Sequence, residues 1–322
     1  MLMLAGLLGL FAVGVAVDFS GLMRPEEDGA EDDAAPAAED GEAAVESTIE
    51  GTPLGEILVG TEAPDAMAGE GGDDQLGGYG GDDLMDGGAG ADDLHGDGGD
   101  DTLAGGEGDD TLAGGDGDDL MSGGAGDDLL SGGEGDDTLA GDDGADRLIG
   151  GGGADHLLGG AGDDALQGGR DDDRLTGGAG ADTLMGDDGD DVLDGVSGED
   201  SAFEASLRDF LNGGAGNDTI HASAGDWAEG GEGADRFVVS DAAAEGTDHA
   251  VIGDFDPAQD RLALLYDPAH HPDPVVTVAP SGTMPNAVSI LIDGAVVADV
   301  LGAPDLTPDM IELIAEQVAP AA

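Results

Sequence analysis

Aspartate recurs at every ninth residue through the middle of this 322-residue chain. A carboxylate is a hard, charged oxygen ligand, and glycines around it allow the main chain to turn several carbonyls toward one centre. Calcium accepts such oxygens at about 2.3–2.6 Å in irregular geometry, and the chain has no cysteine for a thiolate site. The spacing therefore predicts a series of calcium sites. The predicted ligands are Asp74, Asp83, Asp92, Asp101, Asp110, Asp119, Asp128, Asp137, Asp146, Asp155, Asp164, Asp173, Asp182, Asp191, Asp218 and Asp235.

The unit that carries each aspartate is nine residues long. From Gly105 the chain reads GGEGDDTLA, GGDGDDLMS, GGAGDDLLS and GGEGDDTLA, a pattern G-G-x-G-x-D-x-U-x in which U is a large apolar residue. The first position is glycine at every repeat from Gly51 to Gly195, and the eighth is Leu or Met from Leu58 to Leu193. Glycine-rich disorder would not hold Asp and Leu in one phase over so many periods, so the array is predicted to fold.

The pattern weakens after Gly195 but keeps its phase, with Asp200 and Asp209 at the sixth position of two poorly matching blocks. One residue is then missing near Trp227, and the array ends on a block that contains Phe237. Both aromatic residues are predicted to seal the end of the array.

Two kinds of element must position the aspartates. Each repeat is predicted to divide into a six-residue loop and a three-residue strand whose central residue points inward. Two repeats then form one turn, and repeats n and n+2 stack at about 4.8 Å, so that Asp110 would share an ion with Asp128. The fold class predicted is all-β, a right-handed parallel β-roll or β-helix solenoid with a small C-terminal β-rich cap. Fifth-position acids such as Asp118 are predicted to form a solvated face rather than to bind metal.

The composition explains why such a chain would need metal. It has 75 acidic and 7 basic residues, a net charge of −68, and 64 glycines. One large apolar residue per repeat cannot offset an ordering entropy of about 1–2 kcal/mol for each of nine residues, and like charges repel in a compact state. Metal binding is therefore expected to drive folding. The sign of the field argues against nucleic acid and anionic lipid as partners.

The repeat closely resembles the calcium-binding nonapeptide of the RTX (repeats-in-toxin, or hemolysin-type) family. The resemblance covers residues 51–238 and extends into GADRFVVSD and VIGDFDPAQDRLAL, which are similar to the segment that closes RTX arrays. It implies multiple calcium ions as cofactor, export by a type I secretion apparatus that reads an uncleaved C-terminal signal, and an extracellular location. Calcium outside the cell would then trigger folding.

The ends of the chain differ from the array. Residues 1–23 are an apolar N-terminal segment, residues 24–50 are predicted to form a flexible acidic linker, and residues 239–322 are predicted to form a cap with a type I secretion signal. The uncharged run 2–17 is shorter than a typical membrane span and lacks a basic region before it. Both a membrane-contacting anchor and a signal peptide therefore remain open for it.

The cap is predicted to contain strands at 275–278, 287–292 and 295–301, with Asp293-Gly294 as a hairpin turn. A helix is predicted to start at Thr307 and end near Gln317, with Thr as its cap and Pro in its first turn.

No catalytic motif accompanies the repeats. None of the six histidines is followed by Glu as H-E-x-x-H requires, and no G-x-S-x-G is present. The leading hypothesis is a secreted calcium-binding protein without catalysis, with adhesion, surface coating or calcium buffering as its use. The alternatives are a surface protein tethered to the membrane through residues 2–17 and an enzyme of unrecognised type.

Overall fold

The chain winds into a solenoid of two parallel β-sheets. The computed structural model describes residues 47–195, 208–240 and 249–315. Within these residues the only helical segment is one 3-10 turn, Pro308–Met310, and the predicted all-β parallel solenoid is confirmed. The apolar segment 1–23, most of the linker and residues 316–322 lie outside the described residues. Residues 47–50, assigned to the linker from sequence, belong to the first strand.

The strands alternate between the two sheets along the chain. The first sheet contains, in order, β1 Ser47–Thr52, β3 Asp65–Glu70, β5 Leu84–Ala89, β7 Thr102–Glu107, β9 Leu120–Ala125, β11 Thr138–Asp143, β13 His156–Ala161, β15 Arg174–Ala179, β17 Val192–Asp194, β19 Thr219–Ala222, β21 Arg236–Ser240, β23 Arg261–Tyr266 and β27 Ile311–Ala315. The second contains β2 Ile57–Val59, β4 Gln75–Gly77, β6 Asp93–Gly98, β8 Thr111–Asp116, β10 Leu129–Glu134, β12 Arg147–Gly152, β14 Ala165–Arg170, β16 Thr183–Asp188, β18 Phe210–Ala215, β20 Trp227–Glu232, β22 Ala250–Ile252, β26 Ala295–Leu301, β25 Ala287–Ile292 and β24 Val276–Pro280.

The core is a single row of eighth-position side chains from each sheet. Leu112 pairs in register with Leu130, and Leu130 pairs with Leu148, so that identical positions eighteen residues apart lie directly over one another. These side chains are almost completely buried. The thin inward row and the stacking of repeats n and n+2 are as predicted.

The strands are longer than expected. Each full strand covers six residues, from the seventh position of one repeat to the third position of the next, and leaves a loop of only three residues. Pairing skips the first-position glycine: Ala104 pairs with Ser122 and Gly106 with Gly124, but Gly105 is passed over. The second position, where Gly106 has φ +115°, therefore bends the strand without ending it, because glycine adopts that conformation at little cost.

The pairing interval lengthens by one repeat after Gly195. Thr183 pairs with Phe210 and Val192 with Thr219, an interval of 27 residues instead of 18. Nine additional residues therefore lie between Gly195 and Asp209, and residues 196–207, including Asp200, lie outside the described residues. The sequence phase is unbroken across this interval.

The cap continues both sheets. Strands β25 and β26 form the predicted hairpin around Asp293 (φ +51°) and Gly294 (φ +92°), and β24 starts one residue later than expected. The helix predicted from Thr307 is wrong. Thr307 makes no side-chain cap, and after the 3-10 turn the chain forms β27, which pairs in parallel with β23. Sheet pairing outweighs the local helix signal.

Phe237 and Trp227, the two aromatic residues expected to seal the end of the array, differ in burial. Phe237 is fully buried and packs against Phe255, with ring centroids 6.0 Å apart. Trp227 is half-buried at the seventh position and donates from Nε1 to Glu229 Oε1 at 2.9 Å. Of the two, only Phe237 lies in the core.

Candidate metal centre

Sixth-position acids line the two edges of the solenoid, one in each loop between the sheets. We call the loops that follow strands of the first sheet row one and those that follow strands of the second sheet row two. Row one contains Asp74, Asp92, Asp110, Asp128, Asp146, Asp164, Asp182, Asp209 and Asp226, and row two contains Asp65, Asp83, Asp101, Asp119, Asp137, Asp155, Asp173, Asp191, Asp218, Asp235 and Asp260. All of the carboxylates predicted from sequence as ligands are buried, with 0–3% of each residue exposed.

One carboxylate oxygen of each acid except Asp65 joins stacked turns. Asp128 Oδ1 accepts a hydrogen bond from the Asp110 main-chain N–H at 2.7 Å, and Asp137 Oδ1 accepts one from Asp119 at 2.8 Å. The same bond recurs at intervals of eighteen along both rows, and at an interval of 27 where Asp209 Oδ1 accepts from Asp182. Residues predicted to share an ion are therefore direct neighbours.

The other oxygen, Oδ2, has no hydrogen-bond donor in most turns of the described chain. It is buried and without a partner in Asp74, Asp83, Asp92, Asp101, Asp110, Asp119, Asp128, Asp137, Asp146, Asp155, Asp164, Asp173, Asp191 and Asp218. A buried polar atom without a partner costs about 1–3 kcal/mol, and more when it is charged. A repeated set of buried Oδ2 atoms without donors indicates that these atoms bind a group that is not part of the protein.

Most of these oxygens lie beside a main-chain carbonyl of the next turn. A Cβ placed on Gly159 would lie 2.5 Å from Asp164 Oδ2 and 2.5 Å from the Gly177 carbonyl oxygen, so the two oxygens converge on the space beside that glycine. Within the described residues no three Asp, Glu or His side chains meet at one point. The site therefore combines carboxylate with main-chain carbonyl oxygen, the donor set that calcium accepts and that zinc does not favour.

The charge on these carboxylates is poorly stabilised by protein alone. Burial, and then the charge of neighbouring carboxylates, raise the pKa of Asp128, Asp137 and Asp164 to about 7, although the N–H bond to Oδ1 lowers it. Burial and the charge of Asp226 raise the pKa of Asp209 to about 8. A cation beside Oδ2 would supply the missing stabilisation.

Fifth-position acids have a role that the sequence did not reveal. Asp118 is exposed, as expected, but its Oδ1 accepts the Asp136 main-chain N–H at 2.9 Å, and its own N–H donates to Asp100 Oδ1 at 3.1 Å. These bonds tie each turn to the next from the solvent side.

Four members of the rows are not among the predicted ligands: Asp65 and Asp209 fall on the sixth position of the repeat, whereas Asp226 and Asp260 follow irregular spacing. Asp226 stands in the shortened repeat, where Gly225 before it and buried Ala228 two residues after it were the available signals. Asp260 ends row two, and its Oδ1 accepts the Asp235 N–H at 3.1 Å. Counting by nine from Asp218 misses Asp226, which lies nine residues before Asp235, and Asp260 lies 25 residues after Asp235.

Comparison with known families identifies the repeat independently. The model of the RTX calcium-binding nonapeptide repeat (4 copies) matches residues 59–94, 95–130, 131–166, 167–202 and 206–236, which together make up more than half of the chain. No curated protein matches the sequence. Among the described residues, no helix has the length and apolar character needed to cross a membrane.

Proposed function

Because the chain belongs to the RTX calcium-binding nonapeptide-repeat family, we propose that it is a secreted, non-catalytic protein whose solenoid folds when its stacked loops bind extracellular calcium. Repeats of this family bind calcium ions in multiple copies. The proposed ligands are the sixteen sixth-position carboxylates predicted from sequence, through Oδ2, together with first-position carbonyls of the next turn.

The observation that supports this assignment most directly is the row of buried Oδ2 atoms without donors. Most of these atoms lie close to a carbonyl oxygen of the next turn, as Asp92 Oδ2 and the Gly105 carbonyl do beside Gly87. An ion between them would hold two turns together and neutralise part of the charge of −68. Metal binding would then be a large part of the folding free energy.

Circular dichroism during a calcium titration tests the proposal. We expect a spectrum of disordered chain in chelator and cooperative formation of β-structure at millimolar calcium, the range of extracellular modules. Magnesium should not replace calcium, because it requires tighter octahedral geometry. A complete β-spectrum in chelator, or equal effects of the two metals, would contradict the proposal.

The ends of the chain support the proposed route and division. We assign residues 51–238 to the calcium-binding roll and residues 239–322 to a cap that carries the type I secretion signal, since proteins of this family are typically exported. Adhesion, surface coating and calcium buffering all suit a stable acidic rod without a catalytic motif.

A second candidate is a protein tethered to the cell surface. It is favoured by the uncharged apolar run 2–17, which would contact the membrane while the roll stays outside. Detergent partitioning of the full chain, compared with a version that lacks residues 1–23, distinguishes the tethered protein from the freely secreted one.

A further inference from the structure

The main-chain conformation at the second position of the repeat divides the turns into two classes. In almost every described repeat this residue is left-handed, even where it is not glycine: Glu70, Tyr79, Asp97, Asp142 and Asp187 have φ between +71° and +76°. A side chain in this conformation is strained, so its recurrence shows that the turn requires it. We call these the open turns.

Three turns depart from this conformation. Their second residues, Thr52, Thr61 and Ser223, are not left-handed, and each carries a hydroxyl group. We call these the closed turns.

In a closed turn the second residue donates two hydrogen bonds to the acid, and in the Asp65 turn the other oxygen, Oδ1, has no donor among the described residues. Thr61 donates to Asp65 Oδ2 from its main-chain N–H at 2.6 Å and from Oγ1 at 3.1 Å. Ser223 donates to Asp226 Oδ2 in the same way, from N–H at 2.7 Å and from Oγ at 2.9 Å. These donors occupy the oxygen that stays without a donor in the open turns.

The first closed turn uses a longer acid. The Thr52 N–H donates to Glu56 Oε2 at 2.9 Å, and Thr52 Oγ1 donates to Glu56 Oε1. The Glu56 N–H in turn donates to Asp74 Oδ1 at 2.7 Å, so this turn still stacks on the first open turn of its row.

The closed turns lie at the ends of the rows. Glu56 is in the first described loop of row one and Asp65 in the first of row two, and Asp226 is the last sixth-position acid of row one. The last acid of row two, Asp260, is also satisfied, because its Oδ2 accepts the Asp256 N–H at 2.6 Å.

We infer that the second residue of each repeat decides whether a turn takes calcium: a left-handed residue leaves Oδ2 open to the ion, whereas Thr or Ser closes it. Glu56, Asp65 and Asp226 are then held by protein and are not calcium ligands. Two donors supply the stabilisation that an open turn obtains only from a cation. The closed turns are metal-independent ends for the two rows. This inference rests on the proposed function.

Two matched variants test it: Asp65→Asn in a closed turn and Asp101→Asn in an open turn of the same row. Native mass spectrometry of the full chain at saturating calcium counts the bound ions. We expect Asp101→Asn to lose at least one ion and to raise the calcium midpoint measured by circular dichroism, because it alters a ligand. Asp65→Asn should keep the wild-type ion count.

A third variant works in the opposite direction. Thr61→Gly removes the hydroxyl and allows the left-handed conformation, so the turn should open and the ion count should rise by one. Loss of ions in Asp65→Asn equal to that in Asp101→Asn would overturn the inference while leaving calcium binding intact. A wild-type chain that binds no calcium, or no loss in either aspartate variant, would overturn the proposed function instead, and the inference with it.

Discussion

The two oxygens of a sixth-position carboxylate do different work. In Asp128, Oδ1 accepts the main-chain N–H of Asp110 in the preceding turn, whereas Oδ2 has no donor in the described part of the chain and is available to bind a metal ion. The repeat phase predicted that these residues would be buried in stacked rows. It could not predict that the two oxygens have different partners, because the pattern of one repeat does not show which main-chain N–H of the neighbouring turn donates to the carboxylate.

Lower pH should reduce the dependence of folding on calcium. Burial raises the pKa of Asp128, Asp137 and Asp164 from 3.8 to about 7. The folded, metal-free chain therefore binds protons that the unfolded chain releases, and its stability rises as the pH falls through about 7 toward about 4. We expect acidification from about pH 8 to about pH 5 in chelator to restore part of the β-spectrum.

The same protons compete with calcium, because the ligand must be ionised. The calcium midpoint should therefore be higher at about pH 6 than at about pH 8. Circular dichroism measures both effects, and a spectrum in chelator that is independent of pH would contradict the first of them.

The close stacking of turns favours glycine at the fourth position of the repeat. Gly108 has φ +128°, and a Cβ on it would overlap the Gly90 carbonyl oxygen. Gly108→Ala should destabilise the calcium-loaded protein by about 1–3 kcal/mol or more. Gly77→Ala is the control, because its Cβ has no neighbour within 4 Å. Equal urea midpoints for the two variants would show that the stacking is looser than described.

At the scale of elements, the nine-residue period correctly predicted the strands of the array. In the cap, the local helix signals at Thr307 gave a wrong prediction. The C-terminal hairpin was predictable because Asp293-Gly294 favours positive φ at both turn residues. The segment after Thr307 carried helix signals, yet it completes the first sheet as β27. The free energy gained when β27 pairs with the edge strand β23 depends on residues distant in sequence, so a local sequence pattern cannot predict it.

The cap is held together by one buried acid. Asp299 Oδ1 accepts from Ser289 Oγ at 2.5 Å, and Oδ2 accepts from Ser281 and Thr283 and contacts His249 Nε2 at 2.8 Å. Burial alone would raise the pKa of Asp299, but these hydrogen bonds lower it below its ordinary value.

Removing one of those acceptor oxygens should loosen the cap. Asp299→Asn places an amide N–H₂ against groups that donate, so we expect a loss of at least about 1–3 kcal/mol. Thermal unfolding in saturating calcium should show a lower midpoint for Asp299→Asn. The exposed Asp305→Asn is the control, and a midpoint as low in the control would assign the effect to lost charge rather than to lost hydrogen bonds.

At the scale of the molecule, the sequence predicted a parallel solenoid with calcium as part of the fold. It did not reveal the longer pairing interval after Gly195, because nine additional residues, the repeat length itself, leave the phase unchanged. Only the pairing of Thr183 with Phe210 shows that the interval between paired strands is 27 residues there.

The stacking also sets how far the chain ends move. Fully extended, residues 51–238 would reach roughly 600 Å at about 3.3 Å per residue. Coiled, the same residues rise only about 4.8 Å for each turn, which gives a rod on the order of 50 Å. Calcium would therefore shorten this segment by as much as about tenfold, and anything attached to both of its ends would be drawn together as the ion arrives.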